Sequence, residues 1–263
     1  MQFYTLIVIY NKHYQDSSSI KSLFATDAYK QGKIHAVLID NSTRDYHNAS
    51  FSTHDHCYYL SMHGNQGLSK AYNAGIDLFK GQLEGQAVVL FDDDTNFDNS
   101  YFAAMEKAYG DADIYLPIIY DQNQALLSPS IMTKYRCVLA SSLEDITADH
   151  INGINTGMMI KGEIFNDYRY DESYFLDYVD HAFIRDMKAK HKKIIYVSTI
   201  LKQDYSLEGQ DYQSAMKRFE ISKKDIYNYY RKGLMNHIVY HYLMLRRKCK
   251  YLKMYKHICI LWK

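Results

Sequence analysis

Five apolar residues, Ala87-Val88-Val89-Leu90-Phe91, run without a break into three aspartates, Asp92-Asp93-Asp94. A strand this uniformly apolar has no face to offer water, so it belongs in a sheet covered on both sides. The run Phe3-Tyr4-Thr5-Leu6-Ile7-Val8-Ile9 has the same character, as does Ala36-Val37-Leu38-Ile39, and Tyr58-Tyr59-Leu60 predicts a third, shorter strand between them and the aspartates. Helical periodicity fills the gaps. Residues 17–31 predict one helix, with serines at its start and Gly32 just past its end. Residues 67–80 predict another, with Leu68, Tyr72, Ile76 and Phe79 on one face and Gly81 closing it. This alternation predicts an α/β fold with a mainly parallel central sheet and helices on both faces.

Further along, residues 114–119, 157–160 and 194–197 predict strands. Residues 179–191 predict a helix with Val179, Phe183 and Met187 in register, and the chain reads as helical from Gly209 to its end, broken near Gly233.

In an open α/β sheet, ligands gather beyond the carboxyl ends of the strands. Three polar clusters fall there: Tyr10-Asn11, Asp40-Asn41-Ser42 and Asp92-Asp93-Asp94. Turns after strands are often rich in Asp and Asn, which accounts for any one of these more easily than for all three. In extended chain, residues two apart point the same way, so Asp92 and Asp94 should face one crevice and Asp93 another direction. Two neighbouring carboxylates repel unless a cation or a proton separates them. Hard oxygen ligands suit Mg²⁺ or Mn²⁺, which complete their shell with phosphate oxygens and water. The implied ligand is a diphosphate. Asp92, Asp94, Asn96 and Asp98 imitate the start of an EF-hand loop, but Phe97 and Ala103 stand where that loop needs Gly and Glu. The GxGxxG, GxxxxGK[ST] and GxSxG patterns are absent, which excludes the dinucleotide, P-loop and serine-hydrolase readings.

Composition narrows the class further. With 263 residues, 47% apolar and 23% charged, the chain can build a large core without a metal or disulfide staple. Cys57, Cys137, Cys249 and Cys259 form no CxxC pair, so a reducing compartment is expected. The first strand lacks a basic leader and a small-residue cleavage site, and no apolar run reaches the roughly 18–20 residues of a bilayer span. A cytoplasmic location follows as the expectation.

The net charge of +1 conceals an asymmetry. Residues 1–214 hold 18 Lys and Arg against 28 Asp and Glu, whereas residues 215–263 hold 13 against 2. In that tail, Ile238, Tyr242, Leu245, Leu252, Tyr255 and Ile258 recur at helical spacing among Arg246, Arg247, Lys248, Lys250, Lys253 and Lys256. The pattern fits an interfacial helix on an anionic membrane, which would place the chain peripherally at the inner face of the cell membrane. The other reading packs the stripe on the body or on a second copy in a homodimer. No nucleic-acid recognition motif accompanies the basic residues, so nucleic acid is not an expected partner.

Taken in order, Val8-Ile9-Tyr10-Asn11, Ile39-Asp40-Asn41-Ser42, Asn65-Gln66-Gly67-Leu68-Ser69-Lys70-Ala71-Tyr72-Asn73-Ala74-Gly75 and Leu90-Phe91-Asp92-Asp93-Asp94 resemble a family 2 glycosyltransferase with the GT-A fold. Tyr174-Phe175-Leu176-Asp177-Tyr178-Val179-Asp180, followed by a helix carrying Arg185, resembles the bacterial rhamnosyltransferase-like branch. The match runs over about residues 3–206.

The resemblance implies a GT-A domain over 1–214, with a nucleotide-binding half (1–100) and an acceptor half (101–214), ahead of a basic amphipathic tail over 215–263. It implies an inverting transfer from a dTDP or UDP sugar, with rhamnose first and galactose or glucose behind it. The implied acceptor is a bacterial surface polysaccharide or lipid-linked glycan. Tyr10 and Asn11 would lie along the base, Asp40 would bond base or ribose, and Asn65, Gly67 and Asn73 would wall the nucleotide. Asp92, Asp93 and Asp94 would form the DxD motif, with Asp92 and Asp94 on the metal. Asn155-Thr156-Gly157 would be the acceptor-side loop beside the diphosphate. Asp177, or else Asp180, would be the catalytic base, the alternative for Asp180 being a helix N-cap. Where many relatives carry a metal-binding histidine, this chain reads Leu201-Lys202-Gln203-Asp204-Tyr205, with Gln203 at that place. Metal dependence is therefore left open. The competing functions are a nucleotidyltransferase, against which the absence of a Gly-rich basic loop after Asn11 counts, and a non-catalytic nucleotide-sugar-binding module.

Overall fold

The structure, a computed structural model, describes residues 1–203 and 211–257. Asp204, Tyr205, Gly209, Ile258 and Cys259 lie outside the described residues. The chain opens with β1 (Phe3–Ile9), α1 (Ser18–Ala25), α2 (Asp27–Lys30), β2 (Ile34–Asp40), β3 (Cys57–Ser61), α3 (Leu68–Leu78) and β4 (Ala87–Phe91). Then come β5 (Thr95–Asn96), α4 (Asn99–Ala108), β6 (Ile114–Tyr120), β7 (Leu126–Ser128), β8 (Ser130–Met132), β9 (Cys137–Val138), β10 (Ile151–Asn152) and β11 (Met159–Lys161). Finally α5 (Val179–Ala189) and β12 (Ile194–Gln203) lead to α6 (Tyr212–Tyr230) and α7 (Leu234–Tyr255).

The main sheet has the order β3-β2-β1-β4-β11-β6-β12-β5, with β7 beside β6. The first four strands pair in parallel, as do β6 and β12, and β11 runs antiparallel between β4 and β6. Strands β8, β9 and β10 form a separate small sheet. Both faces of the main sheet are buried. Along β1, Tyr4, Leu6 and Val8 enter one core layer, and Phe3, Ile7 and Ile9 enter the other. This is why these strands read as continuous apolar runs rather than as alternations.

Four expectations are corrected. The helix over 17–31 is two helices. The Thr26 hydroxyl donates to the Leu23 carbonyl and accepts from Tyr29 N–H, and its extended backbone (ψ 148°) ends one helix while capping the next. The strand expected over 157–160 begins at Met159 and runs to Lys161, because Gly157 takes a left-handed backbone (φ 70°) that an extended strand cannot include. The strand expected over 194–197 continues to Gln203 through a register shift between Val197 and Ile200, which carries Gln203 to the site. Asp180 is not an N-cap. Tyr178 holds that position in a left-handed conformation, and Asp180 lies in the first turn.

The tail divides. On one face of α7, Tyr240, Leu243, Met244 and Tyr251 pack against Met216, Phe219, Ile226 and Tyr230 of α6. On the other, Leu234, Met235, Ile238, Tyr242 and Leu245 stay exposed. Leu252 and Tyr255, expected on the free stripe, are half-buried, with Tyr255 against Tyr212 and Tyr251.

Candidate active site

The parallel strands β1, β2 and β4 are neighbours, so their carboxyl ends open on one edge of the sheet. Side chains bind these ends together. Asp40 closes β2, and its Oδ2 accepts from Asn48 Nδ2 at 2.9 Å. The same Asn48 nitrogen donates to the Lys12 carbonyl at 3.1 Å, and Lys12 Nζ reaches Asp93 Oδ1 at 2.8 Å. A continuous polar chain thus joins the tip of β2 to the aspartates after β4.

Asp93 turns to Lys12, whereas Asp92 and Asp94 face a common donor. Gln203 Nε2, brought in by β12, lies 3.1 Å from Asp92 Oδ2 and 3.4 Å from Asp94 Oδ1. The turn is fixed from behind. Ser17 and Ser19 hydroxyls donate to the Asp93 and Asp92 carbonyls, and Asp92 N–H donates to Thr156 Oγ1. Burial, then the neighbouring Asp94, Asp93 and Asp180 carboxylates, push the Asp92 carboxyl up to about 7, against a weaker opposing bond from Gln203. Burial and Asp93 raise Asp94 as well. Two hard-oxygen ligands held together in a desolvated place are what a divalent cation would relieve. The described residues contain no cluster of three His, Cys, Asp or Glu suited to a metal. A bound ion would therefore have Asp92 and Asp94, with Gln203 the neutral third side chain at hand.

At the other end of the edge, Tyr10 is 47% exposed and leaves a free aromatic face. Asn11 has a left-handed backbone (φ 50°); its N–H donates to Ser42 Oγ, and its Oδ1 accepts from Thr43. Asp40 is buried, with Oδ1 accepting from Ser42 N–H and Oδ2 also accepting from Tyr59. Its carboxylate is thus committed to shaping the loop.

Residues expected to wall the pocket carry structural bonds of their own. Asn65 Oδ1 accepts from Gly67 N–H. Gly67 has φ 87°, and a Cβ there would come within 2.6 Å of the Phe175 carbonyl oxygen. That same oxygen accepts from Leu68 N–H at 2.6 Å, so the start of α3 is pinned to the segment ahead of α5. Asn73 clasps the Tyr170 backbone, donating to its carbonyl and accepting from its N–H. Asn155 is buried with its Oδ1 unpartnered. Tyr72 is wholly buried with an unpartnered hydroxyl, in the field of both Asp92 and Asp180.

The two aspartates before and in α5 differ in surroundings. Asp177 forms ion pairs with Arg218 of α6 and, at 3.7 Å, with Arg247 of α7. Asp180 lies close enough to Asp92 to raise it, and its Oδ1 is 3.5 Å from His181 Nδ1. The loop carrying them is held by Asp225, a fully buried residue of α6. Its carboxylate accepts three successive backbone N–H groups, from Phe175, Leu176 and Asp177, at 2.9, 2.8 and 2.8 Å.

Sequence reasoning did not find Lys12, Tyr72, Arg218, Arg247 or Asp225. For Lys12 the signal was a cation directly after a strand-end asparagine. For the arginines it was the acidic body facing a basic tail. Tyr72 and Asp225 gave none, because a tyrosine on an apolar helical stripe and an aspartate mid-helix look ordinary in sequence.

The family model "Glycosyl transferase family 2" matches residues 6–175. No curated protein sequence matches the chain. Among solved structures, GalNAc-T7 with UDP, GalNAc and Mn²⁺ superposes with a TM-score of 0.60 at 14% identity, over 80% of this chain and 45% of that one. S. aureus TarS 1-349 in complex with UDP gives 0.55 at 15% identity, over 91% of this chain and 68% of that one. The same TarS fragment with UDP-GlcNAc gives 0.55 at 16% identity, over 91% and 69%. The chain spans less than half the length of the GalNAc-T7 structure. These likenesses establish a shared GT-A fold.

Proposed function

Because the chain belongs to glycosyl transferase family 2, we propose that it moves one sugar, with inversion, from a dTDP or UDP sugar to a hydroxyl of a bacterial surface polysaccharide or lipid-linked glycan. Rhamnose is the preferred sugar, with galactose or glucose next. The observation that carries this reading is the convergence of Asp92 and Asp94 on one side of the β4 tip, joined to Asp40 through Asn48 and Lys12. That edge can hold a nucleoside along Tyr10, Asn11 and the Asp40 loop, and a diphosphate beside the aspartates. Mg²⁺ or Mn²⁺ held by Asp92 and Asp94 would offset the charge that grows on the departing diphosphate. Lys12 stands next to the same position and contributes a fixed positive charge.

The acceptor oxygen forms its bond to the anomeric carbon as the bond from that carbon to the diphosphate oxygen breaks. The electron pair leaves with the nucleoside diphosphate, and the acceptor proton passes to a carboxylate. We assign that carboxylate to Asp180. Among the described residues its carboxylate has no arginine or lysine partner and accepts from His181 N–H at 2.7 Å. Asp177 is the second candidate; a carboxylate ion-paired with Arg218 and Arg247 is less free to take a proton and better suited to holding its loop. A catalytic unit over 1–214, divided near residue 100, would carry this chemistry in the cytoplasm. The tail over 215–263 would bring it to an anionic membrane through the exposed stripe of α7. Among the described residues no helix is long and apolar enough to cross a membrane.

Assaying sugar release and transfer over a panel of dTDP and UDP sugars, with Mn²⁺ and with chelator, tests the proposal. Turnover of at least one donor is expected. Nucleotide binding without turnover of any donor would favour a binding module.

A further inference from the structure

A cavity of about 610 Å³ lies between α5, the α6–α7 corner and the β8–β9 turn. One wall is a single stripe of α5: His181, Ile184, Arg185 and Lys188. These positions share a helix face and extend over about 10 Å at 1.5 Å per residue. The stripe begins beside Asp180, since His181 Nδ1 lies 3.5 Å from its carboxylate. The groove is therefore lined by the residue next to the carboxylate assigned to proton removal.

The lining is suited to a saccharide. Tyr174 is buried and the Arg185 guanidinium covers the Tyr229 ring at 4.9 Å, so the groups left for sugar hydroxyls are polar ones such as Asn152, which lines the groove with an unpartnered Oδ1.

Its charge is uneven. Three carboxylates line the groove, and of these Asp186 is the one in an ion pair among the described residues. Asp186 is bound by Arg185 and by the Tyr168 hydroxyl. Asp171 accepts from Ser173 N–H in its own turn. Asp149 is next to Lys188, whose Nζ donates to the Asp149 carbonyl at 2.8 Å. Lys134, Arg231 and Lys232 also line the groove, are exposed, and form no ion pair among the described residues. They come together because Tyr230, just before Arg231, donates its hydroxyl to the carbonyl of Tyr135, just after Lys134. Set against Asp149 and Asp171, these three cations still leave that end of the groove positive, which suits an anion with several acceptor oxygens.

Resting on the glycosyltransferase reading above, we propose that this groove receives the acceptor and that the acceptor is a saccharide carrying phosphate, read by Lys134, Arg231 and Lys232. The phosphate can belong to a lipid carrier or to the glycan itself.

The test is a binding titration of the full chain with lactose, maltose, their 1-phosphates and a farnesyl-diphosphate-linked lactose. The wild type should bind each phosphorylated probe about tenfold more tightly than its neutral parent, and Lys134→Ala, Arg231→Ala and Lys232→Ala together should abolish that preference. Tighter binding of the farnesyl diphosphate probe than of lactose 1-phosphate assigns the phosphate to a carrier, and equal binding assigns it to the glycan. Equal affinity for neutral and phosphorylated probes in the wild type, or a preference that survives the triple substitution, overturns the proposal. UDP and dTDP titrations on the same proteins read the donor site separately. Both proteins should bind nucleotide alike, so a change confined to the saccharides belongs to the groove, whereas a wild type that binds no nucleotide counts against the enzyme.

Discussion

Arg247, on the last described helix, reaches to 3.7 Å from the Asp177 carboxylate. Arg218, on the helix before it, pairs with the same group, and Asp225 holds the backbone of residues 175–177. The basic end of the chain thus braces the loop that leads into α5. Through Phe175 and Leu68, that loop also touches the start of α3. The two halves of the site share one mechanical support.

Arg218→Ala should loosen the acceptor side and spare the donor side, because Asp225 still holds the Phe175 backbone that meets α3. The lost charged hydrogen bond should cost about 1–3 kcal/mol of stability. Thermal unfolding checks the first part, and nucleotide titration with an unchanged dissociation constant checks the second.

The two aspartates are separable by kinetics. Asp180→Asn should lower transfer by about 10²–10⁴-fold with donor binding intact, as expected for loss of a general base. Asp177→Asn should have a smaller effect on turnover and a larger one on stability. The reverse ranking would return the base to Asp177.

Gly67 tolerates no side chain. Its positive φ and the 2.6 Å approach to the Phe175 carbonyl both oppose a Cβ. Gly67→Ala should destabilise by about 1 kcal/mol or more and weaken nucleotide binding. Denaturant titration beside a nucleotide titration reads both effects.

Asp92 predicts a pH dependence. Its folded value of about 7 is above its ordinary 3.8, so the folded state holds the extra proton between those values. Its contribution to stability is present below the ordinary value and is lost as pH rises toward 7. An ion on Asp92 and Asp94 would displace that proton. Mn²⁺ should thus raise the unfolding temperature more at pH 8 than at pH 5, whereas an equal shift at both would count against the assignment.

The outer stripe of α7 makes a membrane prediction. Ile238→Glu with Leu245→Glu, both at exposed positions, should reduce sedimentation with phosphatidylserine vesicles and leave the unfolding temperature unchanged. Unchanged partitioning would leave the stripe to a second copy of the chain.

Much of this architecture is legible in the chain itself. Strands buried on both faces announce themselves as apolar runs, and the parallel pairing of β1, β2 and β4 follows from their alternation with helices. Asp92 and Asp94 do face a common donor, as extended geometry leads one to expect, but they do so across the turn between β4 and β5. The break at Thr26 is not legible there, because a hydroxyl that caps one helix and ends another competes with a strong helical pattern. The extension of β12 to Gln203 depends on pairing with β6 and β5, which no local stretch encodes. The bracing of Asp177 joins residues 41 or more positions apart, so only the asymmetry of charge hinted at it.

The most direct test is isothermal titration of UDP and dTDP into wild type and Asp94→Ala, with Mn²⁺ and with chelator. The wild type should bind at least one nucleotide about tenfold or more tightly when Mn²⁺ is present, and Asp94→Ala should lose that gain while keeping its unfolding temperature. Equal affinity in the two proteins under Mn²⁺ would contradict a diphosphate site built on Asp92 and Asp94.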